Sequence, residues 1–220
     1  MKKITVTGKG RLIVSPNITE VTLIINGLED EYHQALARSV DETNVLKLVL
    51  VQHGLDKETL KTKNFEVYKK VKQVKDSYGN YHDKFIGYKY NHSLSFRFDN
   101  NNELLGKILY TISKLNINPE INVGYLIKDI EKAKNDLLAN AIKDSMLKAN
   151  IMAEASNVEL GDIQSIDYSW GTIRYEPHDY NLMGSDSILM CNAAADTFDI
   201  DIEPDDVELT DTVTVVWNIK

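Results

Sequence analysis

Residues 84–98 read KFIGYKYNHSLSFRF, and this stretch carries the strongest fold signal in the chain. Its even positions from Tyr88 to Phe98 are aromatic, histidine or leucine, whereas its odd positions from Lys89 to Arg97 are polar. A period of two places one set of side chains on each face of a β-strand. The stretch therefore predicts a strand with one buried and one wetted face, which is typical of antiparallel sheets.

The residues before this strand predict its partner. Residues 57–76 also alternate, with Phe65, Val67 and Val71 on one face. The four residues 77–80, which read SYGN, have the composition of a turn. Two alternating segments joined by such a turn predict an antiparallel hairpin.

The N-terminus predicts a second hairpin. Residues 3–14 alternate, then residues 15–17 form a Pro-containing turn, and residues 21–26 alternate again. Gly8 and Gly10 stand on the apolar side of the first strand, which indicates either a β-bulge or a close approach of another backbone. The apolar positions of that first strand are Ile4, Val6, Leu12 and Val14.

Three segments have the three-to-four-residue apolar spacing of helices. We expect the first to begin with Asp30 as its cap and to end before Gly54. Its predicted inward positions are Tyr32, Leu36, Val40, Thr43, Leu46 and Leu50. The second helix follows the asparagines at 100–102 and carries Leu104, Leu105, Ile108, Leu109, Ile112 and Leu115.

The third helix is predicted at about 129–156, where no Gly or Pro interrupts the sequence. Its length would be about 40 Å, since each residue adds about 1.5 Å. Small side chains dominate its stripe and would let it lie close to a sheet or another helix. The stripe consists of Ile130, Ala133, Leu137, Ala141, Ser145, Ala149, Met152 and Ala153.

Further strands are predicted near 121–127, 164–175 and 207–219. Because hairpins outnumber parallel crossovers, the chain is expected to be α+β: a mainly antiparallel sheet built from hairpins, with about three helices packed on it. We expect a single domain over residues 1–220, with a loop insertion at about 176–203.

Composition excludes several classes of protein. Of the 220 residues 43% are hydrophobic, and the single cysteine, Cys191, excludes an internal disulfide framework. The net charge of −8 argues against a nucleic-acid partner. The chain has neither a signal-peptide pattern nor an apolar run long enough for a transmembrane helix, so a cytoplasmic location is expected for the sequence as given.

The order of several short motifs resembles the SIMPL-domain family, which includes bacterial periplasmic immunogenic and oxidative-stress-defence proteins. The matching pieces are Ile4–Gly10, Val14–Asn17, Val21–Leu23, Gly54-Leu55, Leu60–Thr62, Gly87-Tyr88, Ala141, Lys148-Ala149, Ala153, Leu160–Asp162 and the Val-rich final strand. The chain departs from the family pattern at Tyr90, where alanine is usual, and in the absence of an export signal. The resemblance implies an α+β fold, a tendency to form higher oligomers and an association with envelope or stress physiology. It transfers no catalytic residue and no cofactor.

Two segments are candidate ligand sites. The Tyr88/Tyr90/His92 strand could bind a small molecule, although His92 fits a hydrogen-bonded core residue better than a ligand. Met183, Met190 and Cys191, with His178, combine the soft ligands that suit copper, but their spacing follows no known pattern. The acidic run at 199–206 lacks the glycine of a calcium loop, because Pro204 stands at that position. No nucleophile–base or paired-carboxylate set points to an enzyme, and no cofactor is expected.

Charge is distributed unevenly along the chain. Residues 61–89 contain eight lysines and three acidic residues, a net +5, whereas residues 154–211 contain fifteen acidic residues and one arginine, a net −14. Complementary patches of this kind could join copies head to tail. Alternatively, they meet within one subunit or are solvated faces. The candidate interface residues are Lys63, Lys69, Lys70, Lys72, Lys75, Asp199, Asp201, Glu203, Asp205 and Asp206.

The first functional hypothesis is therefore a non-enzymatic protein that acts as a homo-oligomeric assembly. The alternative is a small-molecule or metal-ion binding module that uses the Tyr88/Tyr90/His92 strand or the Met183–Cys191 loop.

Overall fold

The computed structural model describes residues 2–168, 180–181 and 202–220. Within them the chain is α+β, as predicted. None of the helices in these residues has the length and apolar composition of a membrane-spanning segment. The elements in chain order are β1 (Lys3–Val14), β2 (Ile18–Glu29), α1 (Tyr32–Gln52), a short 3-10 helix (Lys57–Thr59), β3 (Lys61–Lys75), β4 (Tyr81–Asp99), α2 (Asn102–Ser113), β5 (Glu120–Leu126), α3 (Ile130–Ala155), β6 (Leu160–Asp167), β7 (Tyr180–Asn181) and β8 (Val207–Ile219).

The strands form two sheets, and the neighbouring strands in both are antiparallel. The first sheet has the order β1-β8-β6, and the second has the order β3-β4-β2-β5-β7. The predicted β3–β4 hairpin is confirmed.

The predicted hairpin between β1 and β2 is wrong. Strand β1 pairs with β8 along its whole length, and β2 lies between β4 and β5. The side-chain amide of Asn17 accepts a hydrogen bond from the backbone N–H of Lys128 at 2.7 Å. A period of two identifies a strand but not its partner, so the short link between the two strands was misleading.

The described part of the chain folds into two compact units. One contains residues 2–17, 127–168 and 204–220, and the other contains residues 18–126, 180–181 and 202–203. The single domain expected over residues 1–220 stays a prediction. The segment 176–203, expected to be a loop insertion, lies almost wholly outside the described residues.

In the first unit, α3 packs directly on β1. A Cβ atom at Gly8 would lie 2.0 Å from the carbonyl oxygen of Ala141, and one at Gly10 would lie 2.2 Å from that of Leu137. The β1–β8 register is continuous, so the two glycines serve a close backbone approach and not a bulge. The buried face of α3 consists of Ala133, Leu137, Ala141, Ser145, Ala149 and Ala153.

That face confirms most of the predicted stripe on α3. Met152, however, is largely exposed, so its place in the stripe was wrong. Asp129 caps the helix, because its carboxylate accepts the N–H of Lys132 at 3.1 Å.

In the second unit, α1 contacts β2 and β4, and leucines and isoleucines from α1 and α2 enter one core with strand residues. The predicted stripe of α1 was partly wrong: Tyr32 and Val40 are exposed, whereas Ala35 and Ser39 are buried. The helix begins after Glu31, which makes no side-chain cap, so Asp30 is not the cap. The N-terminal half of the helix therefore buries the small side chains of Ala35 and Ser39, and not the larger Tyr32 and Val40 that the periodicity predicted.

The contact between β1 and α3 gives a first prediction. Gly8→Ala should lower the free energy of unfolding by about 2–3 kcal/mol, because overpacking forces the backbone apart. Urea unfolding of the variant measures this change. Thr5→Ala, on the exposed face of the same strand, is the control and should cost less than about 1 kcal/mol. Equal effects of the two substitutions would contradict the close approach.

Candidate functional site

The β3–β4 hairpin is longer than the helix that packs on it. Strand β4 has 19 residues and α1 has 21. At about 3.3 Å per strand residue and about 1.5 Å per helix residue, these lengths are about 60 Å and about 30 Å. Burial follows this difference, since Leu94 and Phe96 are buried on β4 whereas Tyr81 and Phe85 are exposed. We call residues 65–85, where the exposed part lies, the hairpin arm.

The base of the hairpin is fixed to α1 by a chain of polar contacts. The buried Tyr90 hydroxyl donates a hydrogen bond to Glu42 Oε2 at 2.6 Å. Arg38 in turn donates to Glu42 Oε1 at 3.0 Å and to Glu29 Oε1 at 2.6 Å. Burial, together with the bond to Glu42, raises the pKa of the Tyr90 hydroxyl, so this group stays protonated and holds its donor role.

A second contact joins α1, β3 and β4 through His92. Its Nδ1 lies 2.9 Å from Ser39 Oγ, and its Nε2 lies 2.8 Å from Thr62 Oγ1. The Phe65 ring packs edge-on against it, with ring centroids 4.8 Å apart. Burial lowers the pKa of His92. The prediction of a hydrogen-bonded core histidine is therefore confirmed.

These contacts bear on the alternative ligand site. Tyr90 and both ring nitrogens of His92 already have partners in the chain, so their polar groups are engaged. In the part of the chain that the structure describes, no three His, Cys, Asp or Glu side chains group as a metal site. Met183–Cys191 and His178 lie outside the described residues, so a ligand site there stays a prediction.

A defined turn closes the far end of the hairpin. The Asp76 carboxylate accepts the backbone N–H groups of Asn80 at 2.9 Å and Tyr78 at 2.8 Å. Gly79 provides the positive φ of +90° that the turn needs. Hydrogen bonding from Asn80 and Tyr78 lowers the pKa of Asp76, so the carboxylate keeps its charge and its two bonds in mild acid.

A β-bulge in β4 determines which side chains lie on each face of the arm. The register moves from Lys70↔Gly87 to Val71↔Phe85, which leaves one extra residue, Ile86, on β4. The Phe85 ring consequently packs against Tyr88, with centroids 5.3 Å apart. Tyr88 also contacts Tyr32 of α1, at 5.5 Å. Apolar side chains therefore continue along this face of the hairpin to Phe85.

Several large apolar side chains on the arm are exposed, and the sequence analysis did not single them out as a site. Each has at least 40% of its surface exposed; they are Phe65, Tyr68, Val71, Tyr78, Tyr81 and Phe85. All of β3 is exposed apart from the half-buried Val67 and Val74. The signal that could have found them is their interleaving with lysines, which a core strand does not show.

The predicted lysines divide into two groups. Lys63 Nζ lies 3.1 Å from Glu20 Oε1, which also accepts Arg97 at 2.9 Å. Although partial burial raises the pKa of Glu20, the hydrogen bonds from Arg97 and Lys63 outweigh it and lower that pKa. Lys63 therefore belongs to an ion-pair cluster at the base.

The other four lysines, at 69, 70, 72 and 75, lie on the arm. Lys75 Nζ is 5.8 Å from the centre of the Tyr81 ring. Among the described residues, no carboxylate forms an ion pair with Lys69, Lys70 or Lys72. Within the described residues, the arm thus presents lysines without an ion-pair partner beside exposed apolar surface.

The predicted acidic residues are only partly described. Asp199 and Asp201 lie outside the described residues. Glu203 and Asp205 are exposed, and Asp206 accepts a hydrogen bond from the Ser15 hydroxyl just before β8 begins.

Comparison with known proteins identifies the chain's relatives at the level of a family. The family model for SIMPL, described as a protein of unknown function (DUF541), matches residues 4–217. The match runs from β1 to β8 and includes the hairpin arm. A search of curated proteins found no match.

Burial of His92 gives a prediction about pH. Its pKa lies below the ordinary 6.5, so the unfolded chain takes up a proton first as the pH falls. The free energy of unfolding should therefore decrease below about pH 6.5. His92→Gln, which keeps a donor and an acceptor, should cost about 1–2 kcal/mol at pH 7.5.

Urea unfolding at pH 7.5 and pH 5.0 provides the test. His92→Gln should lose less stability between these pH values than the wild-type chain does. His53 also has a lowered pKa, from burial and from Lys107, so His53→Gln serves as the comparison. This variant should still show the part of the stability loss between pH 7.5 and pH 5.0 that is due to His92. An unchanged pH dependence in His92→Gln would contradict this account.

Proposed function

The chain belongs to the SIMPL family, and we propose that it acts as a non-enzymatic assembly module whose copies associate through the hairpin arm. The observation that carries this proposal is the exposure of β3, whose lysines and large apolar side chains extend past the part of the sheet that α1 covers. Single exposed apolar residues are ordinary, but a contiguous set marks an interaction surface.

The apolar part of the arm supplies affinity. Burying an exposed side chain such as Val71 or Phe85 stabilises a complex by about 1 kcal/mol, at about 25 cal/mol per Å² of apolar surface. The stiff paired backbone and the Asp76 turn keep these side chains in place before association. Less conformational freedom is therefore lost on binding.

The charged part of the arm favours a particular partner. The arm, residues 65–85, has five lysines and three acidic residues, a net +2, and the wider stretch 61–89 carries +5, whereas the whole chain carries −8 and residues 154–211 carry −14. Two arms would repel each other. An arm and the acidic region of a second copy would attract each other, which favours a heterologous, head-to-tail contact.

Two parts of this proposal come from the resemblance and not from geometry. The association with envelope or stress physiology is one, and the general tendency to oligomerise is the other. The cytoplasmic location expected from the sequence stays a prediction.

Self-association should be visible in solution. Light scattering at about 50 mM salt should give a molar mass that is a multiple of 25.0 kDa and rises with protein concentration. The mass should fall at about 0.5 M salt, where the Debye length shrinks to about 4 Å. A monomer at both salt concentrations and at high protein concentration would overturn the proposal.

A pair of variants separates the contribution of the arm from nonspecific association through exposed apolar side chains. Val71→Ser with Phe85→Ser should weaken association at least tenfold, since about 2 kcal/mol of apolar burial is lost. The matched control is Val40→Ser with Leu48→Ser, which removes two similarly exposed side chains from α1. Sedimentation velocity of both variants measures the difference. Equal weakening by the two variants would contradict a role for the arm.

A further inference from the structure

Besides its exposed side chains, the hairpin arm has a second exposed feature, the outer backbone edge of β3. Strand β3 is the terminal strand of its sheet and, among the described strands, pairs only with β4. An exposed edge strand offers a row of unpaired N–H and C=O groups, to which another strand can add. Its 15 residues make this edge long.

The lysines on β3 restrict which strand can add to it. Like charges placed opposite each other destabilise a strand pair, whereas opposite charges stabilise it. Two β3 strands would place lysines against lysines. A complementary strand must therefore be acidic, exposed and itself at the edge of a sheet.

Strand β6 of this chain meets these requirements. It is the terminal strand of the β1-β8-β6 sheet, and residues 162–167 are all exposed. It carries Asp162 and Asp167, and no lysine or arginine occurs from Glu154 to Asp167. Two of its apolar side chains, Ile163 and Ile166, are 43% and 49% exposed.

The other sheet edges fit less well. Strand β1 carries Lys3, Lys9 and Arg11 and no acidic residue, so it would repel β3. Strand β5 carries one acidic residue, Glu120, and its outer edge is partly paired with β7. Of the edges in the described residues, β6 alone combines acidic charge with exposed apolar side chains.

We propose that the free edge of β3 in one copy binds strand β6 of a second copy, which extends the sheet across the contact between the two copies. This inference rests on the proposed self-association and names the surface that the arm engages. Lys70 and Lys72, which share one face of β3, would then face the carboxylates of Asp162 and Asp167, while Lys69 lies on the other face with Val71. Ile163 and Ile166 would cover apolar side chains such as Val71.

A charge exchange tests the pairing. The basic-strand variant carries Lys69→Glu, Lys70→Glu and Lys72→Glu, and the acidic-strand variant carries Asp162→Lys and Asp167→Lys. Each alone places like charges at the contact and should associate at least tenfold more weakly than the wild-type chain at about 50 mM salt. An equimolar mixture, or one chain with all five changes, should regain association because every contact again joins opposite charges.

Sedimentation velocity gives the association constants, and circular dichroism with the thermal midpoint verifies folding. If Asp162→Lys with Asp167→Lys does not fold, Asp162→Asn with Asp167→Asn replaces it, and weakened association is again expected. The control carries Lys57→Glu, Lys132→Glu and Lys143→Glu, positions outside the arm, and should associate as the wild-type chain does.

Each outcome separates this inference from the proposed function. If the basic-strand variant dissociates but changes on β6 have no effect, the β3–β6 pairing is overturned while self-association through the arm stands. If both variants dissociate and the mixture does not recover, the pairing is likewise overturned. A wild-type chain that is monomeric throughout overturns both proposals.

Discussion

The structure depends on a mismatch in length between the β3–β4 hairpin and α1, the helix that packs on it. A strand of 19 residues extends well past a helix of 21, because a strand advances more than twice as far per residue. Where α1 lies over the sheet, Tyr90 and His92 are buried and hydrogen-bonded to helix side chains. Where it does not, side chains of the same apolar type are exposed. No helix in the described part of the chain covers them, and this supports a role in association.

The polar contacts under α1 hold the base of the hairpin in one position. Ser39, His92 and Thr62 connect the helix to both strands, and Glu42 connects it to Tyr90. Buried polar groups that are fully hydrogen-bonded specify one arrangement, because any other would leave a donor or an acceptor without a partner. The base of the hairpin is therefore held by hydrogen bonds to α1, and the Asp76 turn closes its far end.

Much of the fold could be predicted from the sequence. The alternation at residues 84–98 identified the aromatic strand, and the small residues of α3 together with Gly8 and Gly10 indicated close packing. Strand partners could not be predicted, because Ile4 and Val6 alternate in the same way whether β1 pairs with β2 or with β8. The inward positions of α1 were partly missed, since the packing of Ser39 follows from its hydrogen bond to His92, which only the folded chain brings near. The lysines of the candidate site were found from charge alone. The exposed apolar residues beside these lysines were not predicted, because sequence alternation does not show where a covering helix ends.

Hydrogen–deuterium exchange at low and high protein concentration would test the central claim most directly, since exchange reports the hydrogen bonding of individual backbone segments. If copies associate by strand addition at the arm, amides of β3 and β6 should become protected as concentration rises, while those of β1 should keep the same exchange rates. Protection that does not change with concentration in β3, or that increases equally in β1, would contradict the account.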